Sequence, residues 1–510
     1  MAKPNILFIC TDQQRSDSLG CYGNQQVRSP NIDSIADAGV RFKRHITPMQ
    51  ICSPSRATMI TGLYPRNHQL ITNGKALPES VPTLTQTLAD AGYQTHAVGK
   101  QHLQPILAPA ELNMPDSRAF WDKPDAANWN GPYYGYQTID LLLGESDTAQ
   151  IAGHYAHWLR ENYPEYVDHL KPKMADQEPP ADLDEIWRSA MPTECHYNTW
   201  ITDRAVDYLA KQDAKQSPFC LFVSFPDPHH PFDPPGDYAD RYNPADMPLP
   251  DVTAQDLKSR PPYAADLFPK GQGFRKLYWQ ADEGAEAGSS ITTDEISDES
   301  LQRAIAYTHA QVEMIDEGVG RLLAQLKQSG VDDNTIVVFT SDHGEYLGNH
   351  GLLHKGPASY RQLTELSFIV SGPGIQSGAE VNSLTSHIDL MPTLLDLAKV
   401  SSEVKVDGVS LKPLLIGREQ RIRDYTFGEY HPTVRQDLYN QTVYKDQWRM
   451  TLYPGLPEWG ELFDLDADPL EHQNLFFDEK MGAIREELSA LLRNEFPPQA
   501  SVENVTLAKW

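Results

Sequence analysis

Short apolar runs alternate along the chain with segments whose apolar positions recur every three or four residues, the pattern of strands feeding helices. Residues 6–10 form one continuous apolar run, the signature of a strand buried on both faces. Helical periodicity follows over 32–39 and again over 82–92, each closed by a glycine, Gly39 and Gly92. The second helix feeds a strand over 94–98, and a further strand is predicted over 219–225. A long helix over 301–329 leads into a strand over 335–340; its Val312, Ile315, Val319, Leu322, Leu323 and Leu326 make one apolar face. This order predicts an α/β fold with a large mixed, mostly parallel sheet sandwiched by helices.

Two stretches break the rhythm, 104–195 and 232–300, and read as insertions. The first is rich in Pro, Trp and Tyr; the second ends in an acidic, Ser/Thr-rich run over 282–300 that reads as a solvated, partly mobile loop. After Leu395 the pattern changes to short strands and turns and closes with a helix near 483–492. The expected division is a domain over 1–415 carrying both insertions and a smaller C-terminal α+β subdomain over 416–510. No internal repeat is present.

Composition narrows the function classes. The 510 residues include 70 acidic and 43 basic side chains, a net charge of −27. That balance argues against nucleic acid or anionic lipid as the main partner, because both demand a basic face. A small anionic substrate remains open, since surface charge is screened beyond about 8 Å and a local cation cluster dominates inside a pocket. The apolar run at the N-terminus is far short of the roughly 18 residues a membrane helix needs, and it lacks a leader's basic flank. Five cysteines, Cys10, Cys21, Cys52, Cys195 and Cys220, are an odd number with no framework spacing. Together these predict a cytoplasmic protein with reduced thiols and no membrane partner.

The chemistry gathers just after the strands, where open α/β sheets bind their ligands. The first strand delivers Asp12 and Gln13; the next, Lys100 and His102; the third, Asp227, His229 and His230; the last, Asp342 and His343. One polar strand end means little, but four carrying carboxylates, imidazoles and an amine point to a site. Separately, Pro54 in Cys52-Ser53-Pro54-Ser55-Arg56 suits a first helical turn, which puts Cys52 at or just before a helix N-terminus. Free N–H groups there favour an anion. A Cys-x-Pro-x-Arg string arises by chance about 0.02 times in a chain of this composition.

With its Thr61-Gly62 tail, this string resembles the signature of the type I, formylglycine-dependent sulfatases of the alkaline-phosphatase-like superfamily. The resemblance runs along nearly the whole chain. Its other segments are Pro4-Asn5-Ile6-Leu7 up to Asp12, Val98-Gly99-Lys100-Gln101-His102, Pro228-His229-His230-Pro231-Phe232, Ser341-Asp342-His343-Gly344, His354-Lys355-Gly356 and the late Glu461-Leu462-Phe463-Asp464. The resemblance implies that a maturase oxidises Cys52 to Cα-formylglycine, and that Asp12, Gln13, Asp342, His343 and the hydrated residue 52 bind one divalent cation. Two carboxylates and an amide oxygen suit a hard ion, with Ca²⁺ first and Mn²⁺ or Mg²⁺ as alternatives. Many relatives have Asp at the Gln13 position and Asn at the His343 position. The imidazole and the missing charge here admit manganese.

In the mechanism that the resemblance implies, one hydroxyl of the hydrated residue 52 attacks sulfur and the ester oxygen leaves. Arg56 and Lys100 hold the diol, His229 and Lys355 contact the sulfate and assist the leaving oxygen, and His102 takes the proton of the second hydroxyl. Asn73, His196 and His230 are weaker substrate-binding candidates, His230 because it fills a variable position of its motif. Asn198, His431 and Tyr133, Tyr134 and Tyr136 are pocket-wall candidates that packing explains better. The expected substrate is a small anionic sulfate ester (aryl, alkyl or sugar). The rival is a phosphonate monoester or phosphodiester, whose hydrolases resemble this chain at Gln13 and His343 but less at Lys100 and His102. A homo-oligomer is open.

Overall fold

The computed structural model describes residues 3–213, 217–261, 291–432, 436–498 and 506–508. Its strands are β1 (Asn5–Thr11), β2 (Gly39–Ile46), β3 (Gln94–Lys100), β4 (Thr138–Leu142), β5 (Phe219–Ser224), β6 (Ile291–Thr292), β7 (Thr335–Ser341) and β8 (Leu352–Leu353). They are followed by β9 (Glu365–Ser371), β10 (Ala379–Val381), β11 (Thr385–Ser386), β12 (Tyr425–Tyr430), β13 (Asn440–Lys445), β14 (Trp448–Leu452) and β15 (Gly460–Asp464). The central sheet runs β10-β2-β9-β7-β1-β5-β3-β4, with β11 alongside β2. Only β9 runs against its neighbours β2 and β7; the other pairings are parallel. The expected mixed, mostly parallel sheet is present.

Strand β1 shows why the sheet is covered on both faces. All seven of its residues are buried, and alternate side chains enter opposite cores. Ile6, Phe8 and Cys10 pack with residues of the helices Cys52–Thr61, Leu84–Asp90 and Leu390–Leu397. Leu7 and Ile9 pack with residues of Pro30–Ala38, Tyr197–Ala210 and Asp298–Gln328. The last of these is the predicted long helix, and Val312, Ile315, Val319, Leu322 and Leu326 lie in that second core.

Register sets the site. Cys10 pairs with Ser224 of β5, Thr11 with Ser341 of β7, and Gly99 of β3 with Ser224. The carboxyl ends of four strands therefore stop at one level, and whatever follows each is thrown into the same space. Gly99 is required there: at φ 95°, a Cβ would lie 1.9 Å from the Ser224 carbonyl oxygen.

The stretch 104–195 is more than an insertion, because it carries β4, the outermost strand of the sheet, and the helix Gly153–Asn162. A five-residue edge strand with an exposed first residue leaves little period-two signal to read. Residues 282–290 of the acidic run lie outside the described residues; the remainder holds β6 and the start of the long helix at Asp298. The C-terminal part is an antiparallel sheet, β12-β13-β14-β15, with the helix Gly482–Glu495 packed on it through Leu488 and Leu492. The expected boundary at 415/416 falls directly after the helix Lys412–Leu415 and ahead of β12.

Candidate active site

The helix Cys52–Thr61 begins on Cys52 itself, and every one of its residues is buried. Asn73 Oδ1 accepts the Ser53 N–H at 3.1 Å, so this candidate braces the helix N-terminus. Gly62, left-handed at φ 68°, ends the helix. Ser55 ties it to the sheet by donating to the Asp342 carbonyl at 2.5 Å.

Arg56, one turn on, organises the carboxylates. Its Nε donates to Asp342 Oδ2 at 2.9 Å and its second amino group to Asp12 Oδ2 at 3.1 Å, while the third nitrogen holds the Lys100 carbonyl and Ser224 Oγ, both at 2.8 Å. Lys100 Nζ adds a 2.8 Å contact to Asp12 Oδ2. These bonds engage one oxygen of each aspartate and leave Oδ1 of Asp12 facing Cys52 Sγ and His343 Nε2, each at 3.7 Å. His343 donates its Nδ1 proton to the Gly344 carbonyl at 2.9 Å, so Nε2 faces inward, 3.2 Å from Cys52 Sγ.

Lys355 Nζ lies 3.1 Å from Cys52 Sγ, 2.8 Å from Gln13 Oε1, 2.9 Å from His229 Nε2 and 3.3 Å from His343 Nε2. His229 donates Nδ1–H to the His230 carbonyl, which leaves Nε2 to accept from the lysine. His102 is buried, and neither of its ring nitrogens has a hydrogen-bond partner among the described residues. His102, Gln13 and His354 all hold left-handed backbone at φ 56°, 60° and 66°, strain that neighbouring structure must impose. The loop after His102 is pinned by Asp116, whose Oδ2 accepts the Leu103 and Gln104 N–H groups and the Tyr133 hydroxyl.

Charge accounts for the ionisation. Burial pushes the Cys52 thiol up, yet Lys355, His343 and Lys100 outweigh it and hold it well below the usual thiol range. Burial raises Asp12 as well, but Lys100 and Arg56 keep it lower than an ordinary carboxylate, while burial and the Asp12 charge push Asp342 up. Asp12, Cys52, Asp342 and His343 each offer a ligand atom, all within 4.8 Å of one another. Two carboxylates and an inward imidazole nitrogen fit a divalent cation. Gln13, the remaining expected ligand, presents its amide oxygen to Lys355 instead.

The chain has counterparts among known proteins. The family model described as Sulfatase matches residues 4–400, and that of the N-sulphoglucosamine sulphohydrolase C-terminal region matches 348–496. The chain belongs to the sulfatase family. The arylsulfatase of Clostridium perfringens is 29% identical over 492 residues, spanning 94% of this chain and 91% of that one. The multifunctional alkaline phosphatase superfamily protein PehA of Trinickia caryophylli is 28% identical over 95% of this chain and 93% of its own. Among solved structures, the phosphonate monoester hydrolase of Agrobacterium radiobacter superposes with a TM-score of 0.78 at 26% identity, covering 96% of this chain and 94% of that one.

In this sulfatase the weaker candidates have distinct places. His230 receives a Gln13 Nε2 proton on Nδ1 at 2.9 Å, stacks on His229 and lies tilted against His354, ring centroids 3.9 Å apart. With Glu185, which meets His354 Nε2 at 2.7 Å, it forms a buried wall behind Lys355. His196 caps the helix Tyr197–Ala210 through the Asn198 N–H, and burial lowers its pKa to about 3. Its ring lies against that of Tyr197, and its Nε2 is buried with no hydrogen-bond partner among the described residues. Tyr197 and Asn198 in turn hold the Asp227 carboxyl at 2.6 and 2.7 Å. His431 pairs with Glu429 in the C-terminal sheet at 2.9 Å, and Tyr134 and Tyr136 pack in the first core.

Two carboxylates escaped the sequence reading. Glu145 meets Lys100 Nζ at 2.9 Å, and Glu345 accepts from Gln13 Nε2 and from the Leu347 and His354 N–H groups. Glu345 follows the Ser341–Gly344 motif by one residue, which was its available signal. Glu145 follows β4, a strand too faint to read.

Proposed function

We propose that this sulfatase hydrolyses a small sulfate monoester (aryl, alkyl or sugar sulfate) at residue 52. The observation that carries the reading is the convergence of Lys100, Arg56, Lys355 and His229 on one buried cluster around Cys52. Residue 52 as Cα-formylglycine, made from Cys52 by a maturase, would supply a hydrated aldehyde as nucleophile, and a divalent cation held by Asp12, Asp342 and His343, with Gln13 turning its amide oxygen from Lys355 to the ion, would supply Lewis acidity there. The oxygen-rich donors favour Ca²⁺ and the His343 nitrogen admits Mn²⁺.

The chain's own groups do the rest. Lys355 and His229 sit where they bind sulfate oxygens, and a proton from this pair reaches the departing ester oxygen. Arg56 and Lys100 keep Asp12 ionised and oriented, and His102, whose buried ring nitrogens are free of hydrogen bonds among the described residues, acts as proton acceptor for residue 52. Five cysteines that form no disulfide support a reducing compartment.

A second reading, hydrolysis of phosphonate monoesters or phosphodiesters, is favoured by Gln13 and His343 together with the superposition on a phosphonate monoester hydrolase. The test is kcat/KM for 4-nitrophenyl sulfate against a phenylphosphonate monoester, with protein coexpressed with the maturase and Cys52→Ala as blank. A higher value for sulfate with a dead blank supports the first reading. A higher value for the phosphonate replaces it with the second.

A further inference from the structure

Lys100 is shared. Its Nζ lies 2.8 Å from Asp12 Oδ2 and 2.9 Å from Glu145 Oε2, so its single positive charge already faces two carboxylates. Glu145 is fixed in that pose. It precedes the short helix Ser146–Ala149, its side chain accepts the Thr148 N–H, and its own N–H donates to Thr148 Oγ1 at 3.0 Å. The Glu145 side chain is 18% exposed, whereas those of Lys100 and Asp12 are 3% and 0%. It is therefore the solvent-facing end of the chain of charges that leads inward to residue 52. Burial pushes its carboxyl up, but the Lys100 ammonium outweighs that and holds it below the usual carboxylate range, so it carries a full negative charge at neutral pH.

An ester held by Lys100 shares that lysine with the Glu145 carboxylate. We propose that Glu145 is a specificity-determining residue that admits singly charged tetrahedral esters, such as sulfate monoesters, and disfavours doubly charged phosphate monoesters. The proposal rests on the reading that esters bind between Lys100 and Lys355. A unit charge several ångströms away, in the partly screened interior of a protein, shifts the relative affinity of two ligands differing by one charge about 10- to 100-fold. No such role is required of Glu145 for packing, since a glutamine would keep the bond to the Thr148 N–H.

Phenyl sulfate and phenyl phosphate are matched in shape and differ by one charge at about pH 8. Their dissociation constants are measured by calorimetry on metal-loaded Cys52→Ala protein, with and without Glu145→Gln. The expected result is a 10- to 100-fold fall in the preference for sulfate when Glu145 is neutralised, and retention of most of it in Glu145→Asp. A ratio unchanged within about twofold, or both ligands weakened equally, overturns the proposal, since a purely structural cap predicts that outcome. Failure of either ligand to bind overturns it too. Turnover of 4-nitrophenyl sulfate by the matured protein is read separately: intact turnover with an unmoved ratio removes the role of Glu145 alone, and a moved ratio without turnover removes the reaction and keeps the charge filter.

Discussion

Two buried arginines, each gripped by two carboxylates, lie in different parts of this sulfatase. Arg56 stands between Asp12 and Asp342 at the edge of the central sheet, and Arg449 between Glu461 and Glu471 in the C-terminal sheet. Their side chains are 3% and 0% exposed. Around Arg449 the charges are closed off: Thr451 and Tyr453 hydrogen-bond the group, and the Phe463 ring lies 4.7 Å from the guanidinium. Around Arg56 they are left open. A cysteine, two lysines and inward-facing imidazoles join the same space, and Asp12 keeps an oxygen directed at them. Burial of charge is thus common to both, and a surplus of unspent ligand atoms distinguishes the site.

The largest effect that would break this contrast belongs to residue 52. Cys52→Ala is expected to lower kcat/KM for 4-nitrophenyl sulfate by at least about 10³-fold while the thermal midpoint moves by no more than about 2 °C. Residual turnover near the parent value would deny the Arg56 cluster its chemistry. Next comes the closed cluster. Arg449→Met leaves two buried glutamates without their cation and should cost about 3–5 kcal/mol in denaturant unfolding, with kcat/KM of the folded fraction within about threefold. A stable but inactive Arg449→Met would show that the two clusters are coupled.

Chelation sharpens the comparison from the other side. Stripping the divalent ion should abolish turnover and lower stability by about 3 kcal/mol when the metal had been present at a hundred times its Kd. Adding Ca²⁺ or Mn²⁺ back should restore both, and metal analysis of the active protein then names the ion. The same chelator shift is expected in Arg449→Met, because that cluster offers no ligand set of its own.

The smallest effect concerns Asp227, behind the site, whose carboxyl burial pushes up to about 7. An unfolded aspartate ionises near 4, so between about pH 4 and 7 the unfolded chain binds fewer protons than the native one, and stability falls as pH rises through that window. Asp227→Asn should flatten this slope, recovering on the order of 1–2 kcal/mol at pH 7 relative to pH 5. Parallel pH profiles in the two proteins would place the titration elsewhere.

Much of the site was legible because the chemistry follows strands that are buried on both faces and read as unbroken apolar runs. Asp12, Lys100, His229 and Asp342 were singled out that way, and Cys52 and Arg56 by a spacing that one helical turn imposes; the fold brings all six into one buried cluster. Asn73 and His196 were named as substrate contacts, yet their bonds go to helix N-termini. A side chain's partner across the fold is invisible in spacing alone. Glu145 was missed for the same reason, since nothing local announces a carboxylate whose meaning comes from Lys100, 45 positions earlier in the chain.

Hydrophobic periodicity and the residues at the strand ends, properties of short stretches, determined on their own the α/β class, the covered sheet and most of the cluster around residue 52. The tertiary structure decided which charges meet. The common register of β1, β3, β5 and β7 converts four separated segments into one pocket, and the β3–β4 pairing brings Glu145 onto Lys100. Coulomb energy depends on distance in space and on exclusion of water, and both arise only when strands far apart in the chain lie side by side.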